Sequence, residues 1–516
     1  REFAVEADRA EEFAVDLDRH RGPNGGNQAW RLSVVSMRNA AHRRFLHALS
    51  ELAYCNPFLP DRMTLEQEAL GDDYVASDAL AWSRTAETEQ MERPNVTRLT
   101  ERAFELASHM RSVLAAAEQA DAATETLYTD LVSYVLYYRH FVSQKTFNEL
   151  STSAWRPFHG DWQHFFAVTQ QSLPASRSPE HLFACLFQVR RAFRNIFDCI
   201  LGESEPAARL RAQVWQSIFT HDMRRYRQSL YDRMADFPTL VTGPSGTGKE
   251  LVARAIALSQ YIHVDKNGNL AGDNSNDDFV ALNLSALSPT LIESELFGHR
   301  KGAFTGATVD RAGWLESCPE HGAVLLDEIG ELDTAIQVKL LRVVQHRSYT
   351  RLGETRERSF AGKVIAATNR DLAEEIHAGR FREDLYYRLC ADRVVTPTLR
   401  EQLSDRPGAL PGLVHFIAQR VAGSAADDLA AEAIEWIAAN LPTDYAWPGN
   451  IRELEQCVRN VLIRRDYIPR PTAQAIELGP RAERWLDKAR AGALSADELL
   501  SSYCTLVYAQ HGTYEK

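Results

Sequence analysis

The sequence predicts an α/β domain built on a parallel sheet flanked by helices, with a mostly α-helical region before it and a small helical unit after it. Between residues 206 and 398, short apolar runs bounded by turn residues alternate with helical segments, as is typical of parallel sheets. Over residues 1–205 and 399–468, apolar residues instead recur at helical spacing. A short tail, residues 469–516, ends the chain.

The composition is that of an ordinary globular protein, 45% hydrophobic and 25% charged. No run of about 18 apolar residues is present, so we expect no membrane span. The net charge of -12 gives no overall sign of nucleic-acid binding, so DNA contact would need a local patch or a separate module. Seven cysteines stand singly, which favours the reducing cytoplasm over a disulfide framework or a zinc site.

The clearest helix of the N-terminal region is predicted in HLFACLFQVRRAFRNIFDCI. Its apolar residues recur in alternating steps of four and three, on one face: Leu182, Leu186, Val189, Phe193, Ile196 and Ile200. Aromatic residues are dense in neighbouring segments, and we favour core packing over a ligand pocket as their role.

A basic, helix-patterned stretch over residues 206–236 leads into the α/β domain and contains the cluster RRYR. We predict that this cluster lies on a solvated helix face, with partner binding as the alternative.

The segment GPSGTGKE follows a predicted strand and precedes a predicted helix, which is the context of a phosphate-binding loop. Glycines let the backbone N–H groups turn inward, and the positive end of the next helix favours anions. Lys249 is expected to bridge the β- and γ-phosphates, whereas Glu250 stands where Ser or Thr usually holds Mg²⁺. The residues predicted to bind nucleotide here are Gly243, Pro244, Ser245, Gly246, Thr247, Gly248, Lys249 and Glu250.

Two further strands end in polar residues. AVLLDE ends in Asp327, expected to hold Mg²⁺ directly or through water, and Glu328, expected to orient and polarise the attacking water. VIAATN ends in Thr368 and Asn369. We expect this strand to lie between the first two, so that its polar side chain senses the γ-phosphate.

Two arginines in GRFREDLYYRL, Arg382 and Arg388, are expected to stabilise the charge that develops during phosphoryl transfer, supplied to a neighbouring subunit. The alternative is a surface ion pair with Glu383 or Asp384.

The stretch HRKGAFTGATVD predicts a mobile loop that exposes Phe304 at its tip. We interpret residues 302–307 as the output of a nucleotide-driven switch. A merely flexible surface turn is the alternative.

Together these segments resemble the AAA+ activators of sigma-54 RNA polymerase, the bacterial enhancer-binding proteins, over about residues 206–468. The motifs that carry the resemblance are GPSGTGKE, ESELFGH, GAFTGA, LLDEIGEL, AATNRDL, FREDLYYRL and WPGNIRELE. The resemblance implies an AAA+ ATPase domain with a helical lid at 399–468 and a regulatory domain at 1–205. The chain departs from the family at Arg300, where Glu is usual, at TPTLREQLSDR, and in a long polar hairpin near 260–278.

The resemblance also implies roles for particular residues. It implies a ring, usually a hexamer, with ATP at the subunit interfaces and the two arginines reaching across. Asn283 matches a switch residue that links the acidic pair to loop movement, and Arg452 matches the second sensor in the lid. Phe304 and Thr305 would contact sigma-54, within the loop of Gly302, Ala303, Phe304, Thr305, Gly306 and Ala307.

The sequence therefore predicts a cytoplasmic transcriptional activator that hydrolyses ATP to remodel the sigma-54 RNA polymerase holoenzyme for promoter opening. A nucleotide-gated scaffold without turnover and a remodeller of another target are the alternatives. The tail is predicted to begin a Fis-type helix-turn-helix that binds enhancer DNA and is cut before its recognition helix; an activator lacking that module is the alternative. The partner of the N-terminal region is left open between a small molecule, another protein and the ATPase domain.

Overall fold

The structure is a computed structural model that describes residues 40–76, 94–116, 121–142, 152–168, 178–271 and 278–469, together with Leu500. Contacts divide the chain into two compact units, Arg1–Ala409 and Leu410–Lys516. Apart from Leu500, the predicted helix-turn-helix lies outside the described residues. Within the described ranges, no helix is long and apolar enough to cross a membrane.

The N-terminal part of the first unit is helical, as predicted. Its helices start at polar caps: the side chains of Asp121 and Ser178 each accept a hydrogen bond from the backbone N–H three residues later. Their apolar faces enclose one core that includes Phe45, Tyr128 and Phe187. The helices are α1 Ala40–Leu52, α2 Asp61–Leu70, α3 Pro94–Ala116, α4 Ala122–Tyr137, α5 Thr152–Phe166 and α6 Pro179–Cys199.

Helix α7, Glu205–Phe219, and the short α8, Met223–Arg225, lead into the sheet. Of the RRYR cluster, only Arg225 is exposed, so the prediction that the cluster forms a solvated helix face is wrong. Arg224 and Arg227 lie 3.2 Å and 3.8 Å from the carboxylate of Asp130 in α4, which is only 2% exposed. The basic cluster therefore ties the segment before the sheet to the helical region.

The predicted parallel sheet is confirmed, and each of the apolar runs PTLVTG, FVALNL, GAVLLDE, GKVIAATN and RVVTP contains a strand. The strands are β1 Thr239–Thr242, β2 Phe279–Asn283, β3 Gly298–His299, β4 Arg311–Ala312, β5 Ala323–Asp327, β6 Ser348–Tyr349, β7 Arg358–Ser359, β8 Lys363–Thr368 and β9 Asp392–Val395. The main sheet has the order β2-β5-β8-β1-β9, and every neighbouring pair in it is parallel. Two short antiparallel pairs, β3-β4 and β6-β7, lie outside this sheet.

Helices cover both faces of the sheet, which is why its strands are apolar throughout. The α-helices that follow β1 in this unit are α9 Lys249–Ala257, α10 Pro289–Phe297, α11 Trp314–Ser317, α12 Thr334–His346, α13 Leu372–His377, α14 Glu383–Leu389 and α15 Leu399–Asp405. Alternate strand residues point to opposite faces of the sheet. Val241 and Leu325 pack towards α7 and α9, and Leu240 and Leu326 pack towards α10, α12 and α14.

The polar segment after α9 forms the hairpin expected near residues 260–278, as far as the structure describes it. Val264 and Leu270 pair across the turn and also pack against the N-terminal core. A Cβ atom on Gly268 at the tip would lie 2.3 Å from Trp155, so the hairpin approaches α5 closely.

The second unit contains three described helices, α16 Leu410–Ala422, α17 Ala426–Asn440 and α18 Asn450–Arg464. Leu454, Val458 and Val461 recur at helical spacing in α18 and are buried. The unit is thus a small helical body with its own apolar contacts.

Candidate nucleotide-binding site

The predicted phosphate-binding loop joins β1 to α9 in a conformation that requires glycine. Gly243, Gly246 and Gly248 have φ values of 149°, 78° and 90°. A Cβ atom on Gly243 would lie 2.1 Å from Oγ1 of Thr396. The glycines therefore serve both the backbone path and the close approach of a neighbouring segment.

Lys249 begins α9 and folds back onto the loop. Its ammonium donates hydrogen bonds to the carbonyl oxygens of Gly243 (3.0 Å) and Pro244 (3.2 Å), and the residue is 8% exposed. Pro244, Ser245 and Glu250 are exposed. The loop thus combines a helix N-terminus with a positive charge held beside its backbone, an arrangement suited to phosphate.

Thr396 supports the loop and was not identified from the sequence. Its hydroxyl lies 2.6 Å from Oγ1 of Thr247, and its backbone N–H donates to the carbonyl of Thr242 at 2.9 Å. Thr396 follows β9, 149 positions after Thr247, so no local pattern connects the two.

The acidic pair and Asn369 meet at the carboxyl edge of the sheet. Strand β8 lies between β5 and β1, so the predicted order of the three strands is confirmed. The backbone N–H of Asn369 donates to Oε2 of Glu328 at 3.3 Å. Asp327 and Glu328 are half-buried, and Glu328 has φ 57°, an unusual conformation for a side-chain-bearing residue.

Asn283 ends β2 directly opposite Asp327 in the parallel register. Its side-chain oxygen accepts hydrogen bonds from the backbone N–H (3.0 Å) and the hydroxyl (2.7 Å) of Ser285. The predicted switch residue is therefore beside the acidic pair, with its side chain turned towards the segment that leads into α10.

Arg382 forms the ion pair that was the alternative to its catalytic role. Its guanidinium bonds both oxygens of Asp384, at 3.0 Å and 2.7 Å. This pairing raises the pKa of Arg382 and lowers that of Asp384. Arg388, on α14, is exposed. The structure of a single chain thus keeps both arginines near the surface.

Gln337, fully buried in α12, holds the arginine segment and was also missed from the sequence. Its Oε1 accepts from the backbone N–H of Arg382 at 2.8 Å. Its Nε2 donates to the carbonyls of Leu332 (2.8 Å) and Arg380 (2.9 Å). A single amide therefore joins the turn after the acidic pair to the segment before α14.

The loop of residues 302–307 projects from the antiparallel pair β3-β4 as a closed turn. Gly302 N–H donates to the carbonyl of Ala307 at 2.8 Å, and Ala307 N–H donates to that of Phe304 at 3.0 Å. The Phe304 ring is half-buried, with its centroid 5.0 Å from that of His299, which corrects the expectation of a freely exposed ring. Thr305 is exposed beside it.

Arg300, the departure from the family pattern, closes the base of this loop. It forms an ion pair with Asp310 and lies 3.9 Å from Glu354. The backbone N–H of Lys301 donates to Asp310 at 2.7 Å and, with the Arg300 guanidinium, lowers the pKa of the Asp310 carboxyl. A Glu at position 300 would instead be repelled by the carboxylates of Asp310 and Glu354.

Arg452 lies in the second unit, exposed in the first turn of α18. The neighbouring Glu453 orders that turn, since its carboxylate accepts from the backbone N–H of Gly449 (2.7 Å) and from the hydroxyls of Tyr445 (2.6 Å) and Tyr467 (3.0 Å).

Comparisons with known proteins found similar sequences and structures. Residues 219–394 match the sigma-54 interaction domain. The chain is 45% identical over 259 residues to the sigma-54-dependent transcriptional activator SfnR of Pseudomonas putida, covering 49% of this chain and 64% of that protein. It is 41% identical over 264 residues to the Nif-specific regulatory protein of Klebsiella pneumoniae, covering 49% and 47%. A crystal structure of NtrX from Brucella abortus with ATP is 26% identical, with a TM-score of 0.38 over 55% of this chain and 56% of that one. The chain thus spans less than two thirds of the length of both curated relatives.

Proposed function

We propose, from the premise that this chain carries the AAA+ domain of the sigma-54 interaction family, that the protein is a sigma-54-dependent transcriptional activator driven by ATP hydrolysis. The observation that carries the proposal is the meeting of three motifs at one sheet edge. The glycine loop after β1, the acidic pair after β5 and Asn369 after β8 all lie at the carboxyl ends of adjacent strands.

The loop and α9 would hold the phosphates of ATP, and Lys249 would turn from its own loop carbonyls to the β- and γ-phosphates. Asp327 supplies the oxygen ligand that Mg²⁺ prefers, and the ion would neutralise phosphate charge. Glu328 would orient the attacking water. Because the Asn369 N–H already bonds Glu328, a change at the γ-phosphate would reach both residues together.

The loop of residues 302–307 is proposed as the contact with sigma-54, through Phe304 and Thr305. Chain connectivity supports this assignment. Asn283 lies in register with Asp327, and the chain runs from it through α10 directly into β3 and the loop. Movement at the acidic pair would therefore be carried along one short segment.

Assembly into a ring, a hexamer in this family, would bring Arg382 and Arg388 to a neighbouring ATP site. We further propose a regulatory role for residues 1–205, an ATPase domain at 206–398, a lid at 399–468 that carries Arg452, and enhancer-DNA binding through a module beginning in 469–516. The six described cysteines are free thiols, which supports the proposed cytoplasmic location.

Steady-state phosphate release tests the enzymatic part. Glu328→Gln removes the carboxylate that orients water, and we expect hydrolysis to fall about 100-fold or more. Glu320→Gln is the matched control, because Glu320 is exposed just before β5, at its opposite end. If neither the wild-type chain nor Glu328→Gln releases phosphate, the nucleotide-gated scaffold becomes the better account.

Binding to sigma-54 in the presence of ADP and aluminium fluoride tests the loop. Thr305→Ala is expected to lose binding while it retains hydrolysis. Thr308→Ala, an exposed threonine just outside the loop, should bind normally. A wild-type chain that hydrolyses ATP but does not bind sigma-54 would indicate a different target.

A further inference from the structure

A cavity of about 120 Å³ lies where the helical N-terminal region meets the segment that leads into the sheet. Its wall is formed by side chains of α4, α6 and α7 and by residues 223–227, among others. For comparison, an apolar cavity of about 150 Å³ takes up a benzene molecule. This cavity therefore has room for one small ring.

The wall is largely aromatic, and its charged groups are already paired. Tyr137, Phe193 and Trp215 provide apolar surface that favours a ring compound. Arg62 bonds Glu66, and Arg227 lies 3.8 Å from Asp130. Because a charged ligand would be buried without a free countercharge, the occupant should be uncharged.

One polar atom of the wall residues has no partner. Nε1 of Trp215 is buried and makes no hydrogen bond within the described part of the chain. Trp215 is 2% exposed. A buried donor normally has an acceptor, so an acceptor on the occupant, such as a carbonyl oxygen, would complete it.

We propose that this cavity binds a small uncharged ring compound bearing a hydrogen-bond acceptor, and that its occupancy changes the affinity of the phosphate-binding loop for nucleotide. The second part rests on the function proposed above, whereas binding in the cavity does not.

Helix α6 connects the two sites because it carries both contacts. Leu186, Val189 and Phe193 line the cavity. From the same helix, Arg191 donates to the carbonyls of Leu258 (2.5 Å) and Gln260 (3.0 Å). These carbonyls follow the C-terminal end of α9, where a cation is favoured by the helix dipole.

A direct hydrogen-bond path runs along the same route. Tyr226, a residue of the cavity wall, donates from its hydroxyl to Oε1 of Gln188 at 2.6 Å. Nε2 of Gln188 donates to the carbonyl of Ser259 at 2.9 Å. A ring compound that shifts Tyr226 or α6 would therefore shift the anchor of α9, whose first residue is Lys249.

The site is tested by calorimetric titration of the full chain with cyclohexanone, with methylcyclohexane as the acceptor-free comparison. Wild type is expected to bind one cyclohexanone saturably. Trp215→Phe removes the free donor and should weaken cyclohexanone binding about fivefold or more. It should keep or improve the affinity for methylcyclohexane, because the cavity loses a donor and gains space.

Trp162→Phe is the matched control, since Nε1 of Trp162 is also buried without a hydrogen bond but the residue does not line the cavity. This variant should bind both probes with wild-type affinity. Val189→Phe fills the cavity and should abolish binding of both probes. Ala53→Leu fills it from another part of the wall and should have the same effect. Thermal melting checks that each variant folds. Absence of saturable cyclohexanone binding, or binding that survives a folded filling variant, overturns the site. An equal loss of affinity for both probes in Trp215→Phe would overturn the proposal that the occupant carries an acceptor.

The coupling is tested by the affinity for ADP with and without saturating cyclohexanone. We expect a change of about fivefold or more, in the range of ordinary coupling between sites. Tyr226→Phe should keep probe binding and reduce this change, because it removes the route through Gln188 and leaves the one through Arg191. An unchanged ADP affinity overturns the coupling. A chain that binds no ADP would overturn both the coupling and the proposed function, while the cyclohexanone titration still decides the cavity.

Discussion

The two ends of helix α9 are held in different ways. At its N-terminal end the chain itself forms the site, through glycines in conformations that other residues rarely adopt and a lysine bonded to its own loop. At its C-terminal end, side chains of a distant helix, Gln188 and Arg191 among them, bond the last carbonyls. A site made by backbone conformation leaves a local motif in the sequence, whereas a site made by side chains from elsewhere leaves none.

The largest effect is expected from a substitution at the N-terminal end of α9. Lys249→Ala removes the charge-assisted bonds to phosphate, and we expect nucleotide affinity to fall roughly 100-fold. The free energy of unfolding should change much less, because water can replace the ammonium at the loop carbonyls of Gly243 and Pro244. Calorimetry with ADP measures the first quantity and thermal melting the second.

Lys266→Ala, at an exposed lysine of the hairpin after α9, is the control and should match wild type in both measurements. Retention of full affinity by Lys249→Ala would show that the loop is not the phosphate site.

A smaller effect, on stability rather than on affinity, is expected at the C-terminal end. Arg191→Met leaves the carbonyl of Gln260 without its side-chain donor and that of Leu258 with Asn195 alone, and we expect about 2 kcal/mol lower free energy of unfolding. Burial lowers the pKa of Arg191 to about 10, a sign of how far its charge is removed from water. Denaturant unfolding measures the loss.

Arg194→Met provides the comparison on the same helix, because Arg194 is exposed and pairs with Asp198 at 3.4 Å. Its effect should stay below about 0.5 kcal/mol. Equal effects of the two substitutions would mean that the anchoring of α9 by α6 contributes nothing measurable.

The smallest effect is expected from a substitution that removes a side-chain support of the loop at the N-terminal end of α9. Thr396→Val keeps the shape of the side chain but removes the hydroxyl beside Thr247, and we expect about a fivefold loss of ADP affinity, or about 1 kcal/mol. Thr443→Val, at an exposed threonine in the second unit, should have no effect. An unaltered affinity in Thr396→Val would show that the loop holds its conformation without this support.

The same contrast explains what the sequence predicts. The five strands and the meeting of Asp327, Glu328 and Asn369 follow from apolar runs with polar ends, because parallel strands place those ends at one edge. Thr396 and Gln337 were missed because their roles depend on contacts far along the chain. The sequence around Thr396 does not distinguish it from any other threonine that follows a strand.

Two errors have the same origin. The RRYR cluster has the composition of a solvated face, yet Arg224 and Arg227 face Asp130, an acid in helix α4 that precedes Arg224 by 94 positions. Phe304 sits in a glycine-rich segment that suggested full exposure, yet its ring rests on His299. In both cases the exposure of a side chain depends on a residue that contacts it in space, which the sequence pattern does not reveal.

Asp130 also affects how deletion experiments must be designed. It accepts hydrogen bonds from Ser50 and Tyr54, each at 2.7 Å, as well as from Arg224. Removing residues 1–205 would leave Arg224 without its carboxylate and expose the ring of Trp215 to solvent. Aggregation or altered activity of the shortened chain would then reflect this damage as well as any loss of regulation. Asp130→Asn, which loosens this junction without stripping any surface, separates release of the ATPase from damage to it.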